Sequence, residues 1–343
     1  MPAPRIITFG EIMARLATPG HQRFQQAMPG SLNVSFAGAE VNVAVAIAQL
    51  GGSAAFITAL PEHEVADAAV TNLRGLGVDT QHIVRTPLGR LGLFFLEHGV
   101  NQRPAQVIYD RAGSSVSLLP AEAYDWDTAF AGADWFHVSG VTPAISANAA
   151  DVALHAMQRA KSSGLRVSFD MNFRRRLWQC QPGTPPQELA ARTVRRLLPH
   201  ADLFIGGPDD IALLTSEPVW DAARQLTMLF PNLKYVAMTQ REMISASHHR
   251  LGGVLYVSES GDAYLAPPYD IPDIVDRPGG GDTFAAALLF ALTTQELSEP
   301  KAAVAFATAS SCLAHSIPGD FALIKRGEVE ALMQGADTGR IIR

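Results

Sequence analysis

The sequence contains little cysteine. Its 343 residues include only Cys180 and Cys312, too few for a disulfide framework, and no CxxC motif is present. Free thiols are typical of a reducing compartment. The N-terminal Met-Pro-Ala-Pro-Arg runs directly into the short apolar segment Ile6–Phe9, which falls far short of the apolar region of a secretory signal. These features predict a cytoplasmic location.

The sequence also lacks a long apolar run and an excess of positive charge. The most apolar stretch, Phe284–Leu292, has nine residues, whereas a membrane-spanning helix needs ~20, so we expect no membrane association. Lysine and arginine total 27 against 33 acidic residues, which gives a net charge of −6. Because general nucleic-acid binders are normally basic, we expect no nucleic-acid partner either.

Several common catalytic motifs are missing. No lysine follows a glycine, which excludes the Walker A motif of P-loop kinases. The first predicted strand is followed by Gly10–Arg15, which reads Gly-Glu-Ile-Met-Ala-Arg rather than GxGxxG, and this argues against a dinucleotide oxidoreductase. A GxSxG nucleophile elbow is absent. His63–Asp67 begins like the zinc motif HExxH but has no second histidine.

What the sequence does contain is an alternation of short β-rich runs with longer Ala/Leu-rich stretches, which predicts an open, largely parallel α/β sheet with helices on both faces. The predicted strands are Ile6–Phe9, Ala54–Thr58, Trp135–Ser139, Arg166–Asp170, Leu203–Ile205 and Tyr235–Thr239. The predicted helices are Val41–Leu50, Val65–Leu76, Asn148–Ser163, Leu189–Leu198 and Val219–Leu229.

Two segments interrupt this alternation. Residues from about 12 to 36 show no helical period, and residues from about 89 to 111 contain two strand-like runs, Leu91–Glu97 and Gln106–Tyr109. We interpret the two segments as one small antiparallel sheet that folds over the main sheet as a lid. The alternative is that both are ordinary edge hairpins of the main sheet.

The strongest functional signal is the segment Asp276–Asp282, which reads Asp-Arg-Pro-Gly-Gly-Gly-Asp and precedes an apolar helical run. Three glycines allow several backbone N–H groups to point to one place, and the start of the helix adds its own free N–H groups. The segment therefore favours a site for a phosphate or a developing anion. Two simpler explanations remain open: Asp282 as a helix N-cap, and the glycines as a plain tight turn.

A carboxylate beside an anion site suggests phosphoryl transfer. Asp282 would accept the proton of an attacking hydroxyl, while the glycine N–H groups would neutralise charge on the transferred group. Because the Walker A motif is missing, the nucleotide must be held differently from the way a P-loop kinase holds it.

The same segment resembles the second signature, DTxGAGD, of the PfkB or ribokinase-like sugar kinases. Phe36–Ala46, followed by Leu50-Gly51, resembles the first signature of that family. The resemblance covers essentially the whole chain and is greatest to the 2-keto-3-deoxygluconate kinases. The segments similar to that branch are Gly38–Asn42, Tyr109–Arg111, Asp170–Arg174 with Leu177-Trp178, and Ile317–Phe321.

The resemblance implies a role for each candidate site residue. Asp282 is the catalytic base, and Gly279, Gly280 and Gly281 form the anion hole. Gly38 and Asn42 contact sugar hydroxyls, while Arg111 and Arg174, with Tyr109 beside them, meet the carboxylate and polar face of the substrate. Thr239, Gly279 and Gly281 lie at the nucleotide, Asp210 holds magnesium through water, and Asp276 belongs to a loop that binds a monovalent cation in many members.

Two of these roles have structural alternatives. Arg174 begins the run Arg174–Arg176, and such runs are usually solvated; its position after a predicted strand favours a ligand contact instead. A guanidinium fork pairs well with a carboxylate. Tyr109 could simply pack a lid strand on the core.

The chain departs from the family pattern at several positions. Gly207 and Asp210 stand for the Asn and Glu that organise magnesium, Phe94 replaces a frequent tyrosine, and Thr239-Gln240-Arg241 replaces Thr-x-Gly. Arg277 and Pro278 replace the usual residues before the glycines. Arg241 could touch the nucleotide phosphates or point to solvent.

The sequence thus predicts one ribokinase-like kinase domain spanning residues 1–343, with the lid formed by residues 12–36 and 89–111. The resemblance implies transfer of the γ-phosphoryl group of ATP, with Mg2+ and with K+ as a further cofactor, to a terminal hydroxyl of a sugar acid, with 2-keto-3-deoxygluconate giving its 6-phosphate. It also implies a homodimer formed through the lid. The alternatives are a kinase for fructose or another neutral sugar, and a catalytically silent sugar- or nucleotide-binding homologue.

Overall fold

The computed structural model describes residues 4–215 and 222–335. Its strands, in chain order, are β1 (Arg5–Phe9), β2 (Met13–Ala17), β3 (Asn33–Ala37), β4 (Ser53–Pro61), β5 (Ile83–Thr86), β6 (Gly92–Glu97), β7 (Gln106–Asp110), β8 (Trp135–Ser139), β9 (Arg166–Asp170), β10 (Leu203–Gly206), β11 (Tyr235–Met243), β12 (His249–Val257) and β13 (Asp262–Ile271).

Its α-helices are α1 (Phe24–Ala27), α2 (Ala39–Gln49), α3 (Glu64–Gly75), α4 (Ser115–Leu118), α5 (Trp126–Phe130), α6 (Val141–Ile145), α7 (Ala147–Ser162), α8 (Pro186–Leu197), α9 (Pro208–Ala212), α10 (Ala222–Leu229), α11 (Gly280–Thr293), α12 (Pro300–Ala314) and α13 (Arg326–Met333). Short 3₁₀ turns occupy Ala121–Ala123 and Leu198–His200. Among the described residues, no helix is both long and apolar enough to cross a membrane.

Nine strands form the main sheet in the order β13-β12-β11-β10-β9-β8-β1-β4-β5. All neighbouring pairs from β11 to β5 are parallel, and only β12 and β13 run antiparallel. Successive residues of β1 face opposite ways: Ile6 packs into one hydrophobic core and Ile7 into the other. The predicted α/β class, with helices on both faces, is therefore confirmed.

Each predicted strand and helix is present, with ends that differ by a few residues. The predicted helix Val219–Leu229 is described only from Ala222, because residues 219–221 lie outside the described ranges. The antiparallel pair β12–β13 was not predicted. Gly253 lies within it, and a Cβ at this position would come within 2.3 Å of Thr308 Oγ1, so this glycine lets α12 approach the sheet closely.

A second, separate sheet has the strand order β3-β2-β6-β7. Because its strands do not join the main sheet, the interpretation of these segments as edge hairpins is wrong. The expectation of a purely antiparallel sheet is also wrong, since β2 and β6 pair in parallel while the two outer pairs are antiparallel. Met13, Phe94 and Leu96 are buried on one face of this small sheet. That the small sheet moves as a lid stays a prediction.

Candidate active site

A cavity of about 670 Å³ lies at the carboxyl ends of the central strands and is covered on one side by the small sheet. The carboxyl ends of parallel strands are the usual ligand site of an open α/β sheet. The predicted site residues that line it are Gly38, Asn42, Tyr109, Arg111, Arg174, Asp210, Thr239, Asp276, Gly279, Gly281 and Asp282. Gly280 is the one predicted site residue that does not line the cavity; the roles of all twelve residues stay predictions.

Asp282 is the third residue of α11, and its side chain does not cap that helix. Gly279 occupies the N-cap position, while the Asp282 carboxylate accepts hydrogen bonds from Asn42 Nδ2 at 2.6 Å and Asn172 Nδ2 at 3.0 Å. Burial raises the pKa of Asp282, and the Asn42 hydrogen bond and the Arg174 charge oppose that rise. The alternative in which Asp282 serves as an N-cap is therefore wrong, and the carboxylate has the raised basicity that suits a proton acceptor.

Asn42 reaches Asp282 because a buried carboxylate fixes the start of α2. Glu40 Oε1 accepts hydrogen bonds from the backbone N–H of Ser139 at 3.0 Å, from the Ser139 hydroxyl at 2.7 Å and from Thr142 at 2.8 Å. Burial raises the pKa of Glu40 to about 7. Gly38 precedes α2, where a Cβ would come within 2.0 Å of the Glu11 carbonyl, so the chain can turn here only with glycine.

Asn172 was not singled out from the sequence. It has a left-handed backbone with φ of 37°, which asparagine tolerates better than most residues. Its Nδ2 donates to Asp282, and its Oδ1 accepts a 2.9 Å hydrogen bond from Nε of Arg174. The amide therefore links the carboxylate to a guanidinium. The sequence signals were its place two residues after the strand that ends at Asp170 and its position within the segment Asp170–Arg174 that resembles the family branch.

The three glycines have different surroundings. Gly279 is left-handed with φ of 84°, and a Cβ there would come within 2.1 Å of the Asp320 carbonyl. Gly280 packs against the His315 ring, and its carbonyl accepts a 2.7 Å bond from the Ser311 hydroxyl. Gly281 faces open space. The cavity therefore meets the loop at the first and third glycines, where the start of α11 presents backbone N–H groups.

Arg111 and Arg174 both line the cavity but differ in charge environment. Arg111 is buried, forms an ion pair with Glu11, and lies with its guanidinium carbon 5.5 Å from the centre of the Tyr109 ring. Arg174 is exposed, and among the described residues its guanidinium hydrogen-bonds to Asn172 alone. Because Glu11 already neutralises Arg111, the two guanidinium groups are not the equivalent pair that the sequence suggested.

Three guanidinium groups, those of Arg174, Arg241 and Arg277, line the cavity together. Desolvation within the cavity and the charges of Arg277 and Arg174 lower the pKa of Arg241, although its side chain keeps contact with solvent. Within residues 4–215 and 222–335, none of the three forms an ion pair with a carboxylate. Such unbalanced positive charge beside Thr239 suits a polyanion such as a nucleotide triphosphate. Arg277 was noted in the sequence only as a departure.

Carboxylates for magnesium are present, although they form no ready-made metal site. Asp210 Oδ2 accepts a 2.7 Å hydrogen bond from Gly207 N, and burial raises the pKa of Asp210. Asp170, which the sequence reasoning missed, has a pKa raised well above its usual value by burial and by the charges of Asp282 and Asp210. The described residues contain no group of three or more His, Cys, Asp or Glu side chains that could hold a metal.

A sequence model described as the pfkB family carbohydrate kinases matches residues 3–322. The chain belongs to this family. As a pfkB carbohydrate kinase with this fold, the protein is a sugar kinase, which confirms the resemblance and the enzyme class predicted from the sequence.

Individual pfkB relatives agree with this assignment. The chain is 32% identical over 336 residues to a 2-dehydro-3-deoxygalactonokinase of Haloferax volcanii, which covers 97% of this chain and 98% of the relative. The crystal structure of a 2-dehydro-3-deoxygluconokinase from Thermotoga maritima matches with a TM-score of 0.89 and 37% identity, covering 97% of this chain and all of that one. A fructokinase from Xylella fastidiosa solved with bound ATP matches with a TM-score of 0.78 and 25% identity, covering 96% of this chain and 98% of its own.

Proposed function

We propose that this sugar kinase transfers the γ-phosphoryl group of ATP to the terminal hydroxyl of a 2-keto-3-deoxy sugar acid, with 2-keto-3-deoxygluconate converted to its 6-phosphate. The observation that carries the proposal is the chain of hydrogen bonds from Asp282 through Asn172 to Arg174. These hydrogen bonds join the proposed base, Asp282, and the Arg174 guanidinium to the two ends of one amide, and within residues 4–215 and 222–335 this guanidinium forms no ion pair. A substrate with a hydroxyl to be deprotonated and a carboxylate to be held suits this arrangement.

In the proposed reaction, Asp282 accepts the proton of the substrate hydroxyl, while Asn42 and Asn172 orient its carboxylate. The backbone N–H groups at the start of α11, beside Gly279 and Gly281, stabilise the charge on the transferred group. Closing the small sheet over the cavity would exclude water, which otherwise competes as the acceptor.

We assign the end of the cavity that binds ATP, the phosphate donor, from its positive charge. Arg241 and Arg277 would hold the phosphates of ATP, with Thr239 beside them. Asp170 and Asp210 would hold Mg2+ through water, since carboxylate oxygens are its preferred protein ligands. When bound with ATP, Mg2+ supplies neutralisation of phosphate charge.

The acid substrate class is supported by Arg174 on the cavity wall, which Tyr109 also lines. Relatives whose names refer to 2-dehydro-3-deoxygluconate and 2-dehydro-3-deoxygalactonate support the same class. These two acids differ in the configuration of one carbon, so the proposal covers both and names the gluconate as the preferred one.

A kinase for fructose or another neutral sugar is the second candidate. Two observations favour it: Phe94 presents no hydroxyl to the cavity, and Glu11 already neutralises Arg111. Fructokinases are also among the relatives. Arg174 forms no ion pair with a carboxylate within residues 4–215 and 222–335, and this favours the acid instead.

The homodimer stays a proposal. The small sheet carries exposed apolar side chains, with Val34 at 64% and Ile108 at 53% exposure, and a second copy of this sheet would cover them. The cytoplasmic location is likewise proposed from the free cysteines Cys180 and Cys312.

The proposed reaction is tested by identifying its product. The protein is incubated with ATP, Mg2+ and, in turn, 2-keto-3-deoxygluconate, 2-keto-3-deoxygalactonate, fructose and ribose, and the phosphorylated position is determined by phosphorus NMR. We expect a 6-phosphate of the sugar acid and none with the Asp282→Asn variant. Phosphorylation of fructose alone would favour the second candidate.

A further inference from the structure

Arg15 is buried where the small sheet meets the loops that contain Asp276 and Asp320. It lies on β2 of the small sheet and is 2% exposed. Its Nη1 donates to Asp320 Oδ1 at 2.6 Å, and its Nη2 forms an ion pair with Asp276. One guanidinium thus joins two carboxylates that lie 261 and 305 positions away in the sequence.

Both carboxylates belong to segments that shape the glycine loop. Asp276 begins the loop that leads to Gly279. The backbone carbonyl of Asp320 lies against Gly279, where an added Cβ would come within 2.1 Å of it. Gly319 N–H also donates to Asp276 Oδ2 at 3.0 Å, which ties the two segments to each other. Arg15 therefore holds together both sides of the loop that faces the proposed phosphoryl site.

The family resemblance also implies that Asp276 belongs to a loop that binds a monovalent cation in many members, and the surroundings of Asp276 test that expectation. Its Oδ2 is taken by Arg15 and Gly319 N–H, and its Oδ1 accepts a 2.9 Å bond from Arg277 N. His98 Nδ1 lies 3.7 Å from the same Oδ1. Each oxygen already faces a nitrogen donor, and a second cation would be repelled by the buried guanidinium. The residues present do not fit K+.

The charges of Arg15, Asp276 and Asp320 support the conclusion that K+ does not bind here. Burial raises the pKa of Asp320 to about 6, and the charge of Arg15 opposes that rise. Without Arg15, two buried carboxylates would lie close together with no strong counter-charge, an arrangement that favours protonation of one of them. The two carboxylates are therefore stabilised by a cation beside them, and the Arg15 guanidinium is that cation.

We propose that the Arg15 guanidinium is the built-in cation of the glycine loop, so that the kinase needs no K+ or other monovalent cation for activity. Arg15 is a positioning residue: it does not line the cavity, and it acts through Asp276, Asp320 and the backbone of Gly279. The inference rests on the proposed role of the glycine loop in phosphoryl transfer. It does not depend on which sugar is the substrate.

The first test uses the wild-type protein and whichever sugar it phosphorylates. Turnover is measured with K+, with Na+ and with tetramethylammonium as the monovalent cation, at equal ionic strength. We expect the same kcat and the same KM for sugar in all three. A direct readout of binding accompanies it, since K+ should shift the Tm no more than tetramethylammonium does. A kcat that rises on adding K+, or stabilisation specific to K+, would overturn the proposal.

The second test removes the guanidinium. Arg15→Ala should lower kcat by at least about 10-fold, since it removes two charge-assisted hydrogen bonds and the loss of one costs about 10- to 150-fold, and it should change KM for sugar little. Added guanidinium or K+ should restore part of the lost kcat, because each can enter the vacated space. The matched control is Arg85→Ala on the edge strand β5, which breaks a surface ion pair with Asp67 of α3 and should leave kcat unchanged. A kcat of Arg15→Ala equal to wild type would contradict the proposal.

If Arg15→Ala fails to fold, Arg15→Lys serves in its place. Lysine keeps the charge but cannot bridge Asp276 and Asp320 with one planar fork. It should therefore fold, lose part of kcat and remain insensitive to K+. Should the sugar acid not be a substrate, the same series is run with fructose, so that an error about the substrate is distinguished from an error about Arg15.

Discussion

The side-chain amide of Asn42 donates a 2.6 Å hydrogen bond to Oδ2 of Asp282, although the two residues lie 240 positions apart in the sequence. Asn42 is itself held by the Gly38 N–H, which donates to its Oδ1 at 3.2 Å. The two family signatures therefore meet through one hydrogen bond, and the residues beside the proposed base are fixed before any substrate enters. This contact underlies the first two predictions.

Replacing Asp282 by asparagine should abolish most of the activity while preserving the fold. Asparagine keeps the shape of the side chain but cannot accept the hydroxyl proton, and loss of a general base typically costs about 10²–10⁴ in rate. The measurement is kcat in a coupled ADP-release assay, with ATP binding and circular dichroism as controls. A variant that turns over at nearly the wild-type rate would remove Asp282 from the mechanism.

Activity should fall toward acid as Asp282 becomes protonated. Burial raises its pKa, and the Asn42 hydrogen bond opposes that rise because it stabilises the charged form. Asn42→Ala removes this hydrogen bond, so the pKa of Asp282 should rise further and the acid limb of the kcat/KM profile should move to higher pH. A profile that keeps its position, or moves to lower pH, would show that another group controls the limb.

Arg241 should act on the nucleotide rather than on the sugar. It lines the donor end of the cavity with Arg277 and has no carboxylate partner among the described residues. Arg241→Met should raise KM for ATP by roughly 10- to 150-fold, as for the loss of a charge-assisted bond, with little effect on KM for sugar. Steady-state kinetics with each substrate varied in turn give both values. A rise in KM for sugar alone would move Arg241 to the acceptor end.

The glycine loop should tolerate alanine at one position and not at another. Gly279→Ala would place a Cβ within 2.1 Å of the Asp320 carbonyl at a residue with φ of 84°. The left-handed conformation alone costs a non-glycine residue about 1–2 kcal/mol, so the Tm should fall. Gly281→Ala is the matched control, since nothing lies within 4 Å of its Cβ position, and its Tm should not fall. Equal Tm values for the two variants would contradict the packing described here.

Much of the architecture could be predicted from local sequence patterns. Strands such as Trp135–Ser139 are short and apolar, and helices such as α7 end at glycine. The type and the ends of each element can therefore be predicted from its own residues and their neighbours. The parallel pairing of β2 with β6 could not be predicted this way. This pairing depends on how two distant segments cross over the main sheet, and the residues of neither strand indicate the direction in which it pairs.

The residues of the candidate site likewise divide into those that a local motif identifies and those whose partners are distant in the sequence. Asp282 and the glycines were found because a loop motif and a helix start are adjacent in the chain. Arg15 and Asn172 were missed because their partners lie far away in the sequence, at Asp276, Asp320 and Asp282. The ion pair that neutralises Arg111 was missed for the same reason, since Glu11 belongs to a different segment.

The most direct test of the central claim compares kcat/KM for 2-keto-3-deoxygluconate with kcat/KM for fructose, in the wild type and in Arg174→Lys. We expect the wild type to prefer the acid by about 10- to 150-fold, the contribution of one charge-assisted hydrogen bond to the carboxylate. Lysine keeps the charge but loses the fork, so it should lower kcat/KM for the acid and leave the value for fructose unchanged. Equal wild-type values for the two substrates would contradict the assignment to sugar acids.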